Sequence, residues 1–354
     1  MSSVALLPPE TAVPDVSDVP RGRRVLSTAH SRRHSGLVGA LLVVVVIFAG
    51  LEFFTRTVLF RASKDFSRFA TYDRKSGELV QQPGMRIAFI GNSLTGEGVD
   101  PQMFANELGG LSAESVAAKL FTADASKINV WHYLVNRHFW RPERHPDLLV
   151  VNFYENNLVD GHPLEIGRFA QFFAEPCDWP EVFAHDVTGF GERLEFLLSS
   201  SWATFAARDR IKERVLGVVV PHYRELTIQT NDIRKQQRAA IVEVAAPKKE
   251  THEVLKRFLA RANEHHSKIV FVAFPTIIPG RERPYQPYEL NPETLRIIRE
   301  AGMEFLDLRQ VPELTPEMYA DDIHLNEIGR PIYSRYLAKE LSSITQRLKV
   351  SKQQ

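Results

Sequence analysis

Short, almost wholly apolar strands alternate with helical stretches, and this alternation constrains the fold more than any other feature of the sequence. Residues 85–90 (MRIAFI) and 148–153 (LLVVNF) each carry only one polar side chain. Such runs are typical of parallel strands covered by helices on both faces of a sheet, whereas a half-exposed sheet alternates apolar and polar residues. The pattern therefore predicts an α/β fold: a three-layer sandwich around a doubly wound parallel sheet.

One interruption divides this pattern. Residues 158–249 hold aromatic-rich helical stretches without a convincing strand, so we interpret them as a helical insertion or lid within a domain that spans 85–350. The other predicted helices are 101–108, 126–139, 250–264, 292–301 and 326–348, and the predicted strands are 85–90, 115–121, 148–153, 268–274 and 304–308.

The N-terminal region divides into three predicted segments. Residues 1–35 form a disordered, basic cytoplasmic tail, residues 36–56 a transmembrane anchor, and residues 57–84 a juxtamembrane linker. Two alternatives compete with the anchor. A cleaved signal peptide needs small residues before the cleavage site, where this run has Ile47 and Phe48. A buried core helix would have an amphipathic face, whereas this run is apolar all round. Because the arginines precede the span, the positive-inside rule places the rest of the chain outside the membrane.

Charge and cysteine content exclude several classes of function. Lys and Arg total 44 against 43 Asp and Glu, for a net charge of +1, so we expect no nucleic-acid partner. Cys177 is the single cysteine, which leaves neither an intramolecular disulfide nor a cysteine-based zinc site. The sequence contains neither a G-x-G-x-x-G motif nor a Walker loop, and we expect no cofactor and no metal.

The first candidate chemical site is the serine of the segment GNSLT. Ser93 directly follows the buried strand 85–90 and precedes a helix. In an open parallel sheet, ligands bind beyond the carboxyl ends of the strands, so this serine is presented to that crevice. The alternative is that Ser93 only caps the following helix.

The second candidate is the segment DDIHLN before the last helix. A serine nucleophile needs a base, usually a histidine that is oriented by a carboxylate. Asp321 stands three residues before His324 and can fold back onto the imidazole, while Asp322 is an alternative orienting carboxylate. The other interpretation is that the acidic pair and Asn326 cap the helix.

The third candidate is Asn156, which lies in the segment YENN after the strand 148–153. An amide at this position reaches the same crevice as Ser93 and can donate a hydrogen bond to a developing oxyanion. The alternative is ordinary turn chemistry, because asparagine is common in turns.

Together these three segments resemble the SGNH, or GDSL-like, hydrolase family. The family's G-D-S-L block corresponds to GNSLT, its G-x-N-D block matches YENN at Asn156, and its D-x-x-H-L-N-x-x-G block matches DDIHLNEIG. The resemblance covers about residues 85–157 and 250–345. A glycine that normally follows the second strand is missing from FTADASKIN, where the backbone near Ala125 or Ser126 would have to serve instead.

The resemblance implies a flavodoxin-like SGNH fold and a serine esterase or O-acyltransferase that works through an acyl-enzyme. Ser93 would be the nucleophile, His324 the general base and Asp321 its orienting carboxylate. The Ser93 backbone N–H and the Asn156 amide would bind the oxyanion. Members with one N-terminal span act on acylated cell-envelope glycans, some beside a membrane-bound O-acyltransferase, and both are expected partners here.

Two other functions stay open. One is a catalytically inactive envelope assembly protein, and the other is a lipase or thioesterase with a helical lid. A further hypothesis concerns large aromatic side chains that stack on sugars, although aromatic residues are more often part of a core. The candidates are Trp131, Trp140, Trp179 and Tyr154.

Overall fold

Five parallel strands form one sheet in the order β2-β1-β3-β4-β5. The computed structural model describes residues 29–163, 165–220, 222–223, 250–277 and 288–353. The strands are β1 (Met85–Gly91), β2 (Val116–Thr122), β3 (Leu148–Phe153), β4 (Ile269–Ala273) and β5 (Glu304–Asp307). Strand order reverses between β1 and β3, and this switch point is where a doubly wound sheet opens a crevice at its carboxyl edge.

Helices make up most of the remaining described structure. Before the sheet lie α1 (Ala29–Phe54), a π-helical turn (Thr55–Leu59), α2 (Phe60–Ala62), α3 (Lys64–Phe69) and α4 (Tyr72–Val80). Between β1 and β3 lie α5 (Ser93–Gly98), α6 (Pro101–Ser112), α7 (Ile128–Val135) and a second π-helical turn (Asn136–Trp140). The region of the predicted insertion holds α8 (Ile166–Phe172), a 3-10 turn (Pro176–Asp178), α9 (Trp179–His185), α10 (Phe190–Ser201), α11 (Ala203–Ala206) and α12 (Arg208–Val219). The chain continues with α13 (Glu253–Glu264), α14 (Pro292–Glu300), a 3-10 turn (Pro316–Met318) and α15 (Gly329–Gln353).

The sheet is covered on both faces, which gives the three predicted layers. Along β1, Ile87 and Phe89 face a core formed with α6 and α15, and Ala88 and Ile90 face a second core formed with α4, α7, α13 and α14. The predicted strands and their order along the chain are confirmed, with ends that differ by a few residues. The last predicted helix, 326–348, differs most, because it begins at Gly329 and continues to Gln353.

The segment predicted as a linker is structured in a way that the sequence reading missed. Residues 57–84 contain α3 and α4, whose side chains Phe66, Phe69, Tyr72 and Leu79 are buried in the core beside the sheet. The mixed, polar composition of residues 60–82 predicts a juxtamembrane helix and linker. The apolar side chains at helical spacing instead make this segment part of the globular domain.

Within the part of the chain that the structure describes, one helix near the N-terminus is long and apolar enough to cross a membrane. By length and composition, residues Val38–Ala62 are able to cross a membrane, with a mean hydropathy of 2.4 and only 6% of the apolar window buried in the protein. The burial is far too low for a core helix. The chain divides into two compact units, Met1–Gly50 and Leu51–Gln354, so the end of this helix belongs to the second unit.

Candidate active site

Ser93 is positioned by the sharp turn that joins β1 to α5. Gly91 permits this turn, because a Cβ atom there would lie only 2.0 Å from Thr95 Oγ1. Asn92 caps α5, and its Oδ1 accepts a hydrogen bond from the Leu94 backbone N–H at 3.1 Å. Capping is therefore the role of Asn92, and it leaves Ser93 as the first helical residue, with its hydroxyl free for another partner.

That partner is the imidazole of His324. Its Nε2 lies 2.9 Å from Ser93 Oγ, although the two residues are separated by 231 positions in sequence. On the other side of the ring, Nδ1 lies 2.8 Å from Asp321 Oδ2 and 3.0 Å from Asp321 Oδ1. The structure thus brings Ser93, His324 and Asp321 into one hydrogen-bonded chain of hydroxyl, imidazole and carboxylate.

Asp321 is held in its charged form. Burial raises its pKa, but the backbone N–H groups of Ile323 and His324 and the imidazole bond outweigh this effect and bring the pKa below its ordinary value. Asp322, the alternative orienting residue, uses its backbone carbonyl to accept from Ile277 N–H at 2.9 Å. Geometry therefore selects Asp321 as the partner of the imidazole.

Several of the contacts that hold the loop of His324 lie within the loop itself. Leu325 is buried and pairs with Tyr319 in an antiparallel bridge. Asn326 accepts from the Ile328 and Gly329 backbone N–H groups at 2.9 and 3.1 Å, as predicted for a helix cap. Position 329 requires a glycine, because a Cβ atom there would lie only 2.4 Å from the backbone oxygen of Met318. The H-L-N-x-x-G spacing therefore has a local steric and hydrogen-bonding cause.

Asn156 lies in the turn after β3, on an exposed position. Its Oδ1 accepts from Lys127 Nζ at 2.9 Å, which fixes the amide orientation and leaves Nδ2 as its donor. The adjacent Asn157 was not singled out by sequence, yet it is buried and accepts from Asn92 Nδ2 at 3.2 Å and from Tyr154 N–H at 2.9 Å. Asn157 thereby ties the β3 turn to the residue before Ser93.

The loop after β2 adopts the backbone conformation that a glycine would favour, without a glycine. Ala125 has φ 52°, in the left-handed region that costs a residue with a Cβ about 1–2 kcal/mol. The next residue, Ser126, donates to Ala123 O and accepts from Trp131 Nε1 at 2.7 Å. Ala125 thus occupies a backbone conformation that glycine adopts at lower cost.

Distant side chains hold this β2 loop in place. Arg168 of α8 is only 5% exposed and donates from Nη2 to Asp124 O at 2.6 Å. Arg68 of α3 lies 2.9 Å from Asp124 Oδ2. Tyr72 donates to Thr122 O at 2.6 Å and accepts from Thr122 N–H at 2.9 Å, and burial raises its pKa to about 12, so the phenol stays protonated at neutral pH.

These loop-holding residues were missed by the sequence reading. Only Arg168 could have been noticed in the sequence, because it is an arginine within the largely apolar segment IGRFAQF. A charge that is buried among apolar residues needs a polar partner. The sugar-stacking hypothesis is wrong for Trp131 and Trp140, which are fully buried in the core. Trp179 also packs against that core.

Among the residues that the structure describes, no group of three or more His, Cys, Asp or Glu side chains is arranged to hold a metal ion.

Comparisons with known proteins give only a weak likeness. No protein-family model matches the chain, and no curated protein sequence matches it. Among solved structures, the chain is similar to a lipase/acylhydrolase from Enterococcus faecalis, at 11% identity and a TM-score of 0.36, over 73% of this chain and 96% of that chain. It is also similar to a mutant of Axe2, an acetyl-xylooligosaccharide esterase from Geobacillus stearothermophilus, at 11% identity and a TM-score of 0.33, over 72% of this chain and 93% of that chain. A third similar structure is a lipolytic protein of the G-D-S-L family from Desulfitobacterium hafniense, at 12% identity and a TM-score of 0.31, over 72% of this chain and 97% of that chain. At these TM-scores the likeness carries no argument, and the chemistry is inferred from the site geometry.

Proposed function

We propose that this protein is an SGNH-type serine hydrolase or acyltransferase that acts on ester bonds. One observation carries the proposal: His324 Nε2 lies 2.9 Å from Ser93 Oγ, with Asp321 bonded to the opposite ring nitrogen. A hydroxyl in this setting becomes a nucleophile, because the imidazole accepts its proton and the carboxylate stabilises the imidazolium that forms.

The reaction proceeds in two acyl transfers. Ser93 Oγ attacks the ester carbonyl and passes its proton to His324, which then protonates the departing alcohol and leaves an acyl-serine. A second hydroxyl, of water or of an acceptor sugar, gives its proton to His324 and attacks the acyl-serine. The acyl group leaves with it, and the proton returns to Ser93 Oγ.

The oxyanion of each tetrahedral intermediate needs preorganised donors. The Ser93 backbone N–H is suited to this role, because the first N–H groups of a helix have no partner within the helix. Asn156 Nδ2 is the second donor, and the bond from Lys127 to Asn156 Oδ1 supports it by orienting the amide. The backbone of the β2 loop at Ala125 is the third element of this hole.

The proposed setting is the outer face of a membrane, with the N-terminus in the cytoplasm. The apolar helix Val38–Ala62 and the arginines before it support a single-pass anchor. The proposed substrates are acyl esters of cell-envelope glycans, with a membrane-bound O-acyltransferase as an associated protein. The lipase or thioesterase alternative is decided by comparing hydrolysis of acetyl esters with hydrolysis of long-chain esters.

A fluorophosphonate probe tests the chemistry directly. We expect the full-length protein to be labelled at one site, and the label to disappear in Ser93→Ala. Ser343→Ala, a serine on the last helix, is the matched control and is expected to label normally. Folded protein that takes up no probe would refute the serine mechanism and favour the inactive assembly protein.

A further inference from the structure

Helix α10 presents an apolar stripe to solvent. Phe190, Leu194, Leu197 and Leu198 recur at spacings of four, seven and eight residues, which places them on one helix face, and all four are exposed, Phe190 by 86%. The opposite face carries Phe196, which is completely buried. The stripe is therefore additional to the core-packing face of the helix.

Helix α12 repeats the same arrangement. Val215, Val218 and Val219 continue the spacing from Ile211, and they are 53%, 87% and 70% exposed. Exposed charged residues, among them Lys212, border this stripe. Ile211 itself packs against the core, so the exposed part of the stripe begins at Val215. An amphipathic helix with an exposed apolar stripe is typical of segments that lie in a membrane interface.

The end of α10 contacts the end of the apolar N-terminal helix. Glu52 accepts from the backbone N–H groups of Ala203 and Thr204 at 2.8 and 2.9 Å, and so caps the short helix that follows α10. Arg56 donates to the carbonyl of Ser201, the last residue of α10, at 3.4 Å. These bonds place the C-terminal end of α10 beside the final residues of the candidate span.

Helix α12 runs back along the same segment. Arg210 bonds to Ser63 and Asp65 at 3.3 and 3.1 Å, and Arg214, one turn later, bonds to Ala62 O at 3.4 Å. Helix α12 is thus antiparallel to residues 62–65, because its later residue Arg214 contacts the earlier residue Ala62. The most exposed valines lie one further turn along, toward the apolar end of that segment.

We propose that the stripes of α10 and α12 dock on the surface of the lipid bilayer from which the anchor emerges. The inference rests on the anchor proposed above. Lipid is the favoured occupant because both helices contact the end of the candidate span, and because Phe53 and Val58, on the span's last turns, are themselves exposed apolar residues. Contiguous apolar residues exposed on a protein surface mark sites of interaction with a partner or a membrane.

Site-specific fluorescence in the full-length protein tests this contact. Cys177→Ser removes the single cysteine, and one cysteine is then introduced by Val218→Cys or Leu194→Cys and labelled with an environment-sensitive nitrobenzoxadiazole dye. Glu300→Cys, at an exposed position on α14, is the solvent control, and Val44→Cys within the span is the lipid control. Each variant is placed in phosphatidylcholine nanodiscs with and without brominated acyl chains, and circular dichroism verifies its fold.

We expect blue-shifted emission and quenching by brominated lipid at positions 218, 194 and 44, and neither effect at 300. Quenching at 44 with solvent-like emission at 218 and 194 would overturn the docking inference while leaving the anchor intact. Blue-shifted emission at 218 without lipid quenching would also overturn it, since the cover would then be a second copy of the chain. Solvent-like emission at position 44 would refute the anchor and the docking together, independently of the chemistry at Ser93.

Discussion

Two loops at the carboxyl edge of the sheet are held in different ways. The loop with Asp321 and His324 is held mainly by contacts among residues 318–329, including the Asn326 cap and the close approach of Gly329 to Met318, with one bond from the nearby Ile277 N–H to Asp322 O. The β2 loop, residues 122–126, depends on Arg68 and Arg168, which are 56 and 44 positions away from Asp124 along the chain.

The difference shows how each loop keeps its geometry. A loop held from within needs a fixed spacing of residues, which is why it appears as a motif. A loop held from outside tolerates change in its own residues, provided that its distant partners remain. Ala125 is an example, because the surrounding bonds hold this residue in a left-handed conformation that it would not favour alone.

The largest expected effect concerns the loop that carries Asp321 and His324. Asp321→Asn should lower kcat/KM by about 10⁴-fold, because the carboxamide no longer holds the imidazole in the tautomer that accepts the Ser93 proton. Steady-state hydrolysis of an acetyl ester measures this loss. Asp322→Asn is the matched control and should stay near the unmodified rate. An equal loss in both variants would mean that the two carboxylates share the orienting role.

An intermediate effect is expected for the externally held loop. Arg168→Met removes the bond to Asp124 O, and a displaced oxyanion donor should reduce kcat by about 10–100-fold with little change in KM. Arg168→Lys should restore part of kcat, because an ammonium still reaches one carbonyl.

Arg296→Met is the control for this pair, since it removes an exposed arginine whose ion pairs lie on the surface of α14. A fall in thermal stability without a change in kcat would assign Arg168 a structural role only. A rise in KM alone would place it in substrate binding.

The smallest effect is expected at Ala125. Ala125→Gly removes the strain of the left-handed backbone but raises the conformational entropy of the unfolded chain. The two effects oppose each other, so the free energy of unfolding should change by less than about 1 kcal/mol and activity should persist. Ala125→Val should destabilise the protein by about 1–3 kcal/mol, because a β-branched residue tolerates positive φ poorly. Chemical denaturation of both variants measures the difference. Equal stabilities would show that the loop relaxes out of the left-handed region.

Sequence reasoning recovered what is local. The apolar strands β1 and β3 and the D-x-x-H-L-N segment carry their own signals, since burial on both faces and helix capping are written in consecutive residues. The pairing of Arg168 with Asp124 has no such signal, because it depends on how the helices pack. For the same reason the burial of Tyr72 was missed, and its segment was taken for a linker.

The connection between Arg168 and Asp124 also has a consequence for the predicted insertion, residues 158–249. An insertion in a domain is a natural target for trimming when a smaller protein is wanted. Here trimming would remove α8 and with it a guanidinium that reaches the β2 loop at the carboxyl edge of the sheet. A smaller version of this domain must therefore supply a replacement donor for the Asp124 carbonyl, and size reduction becomes a redesign of the candidate active site.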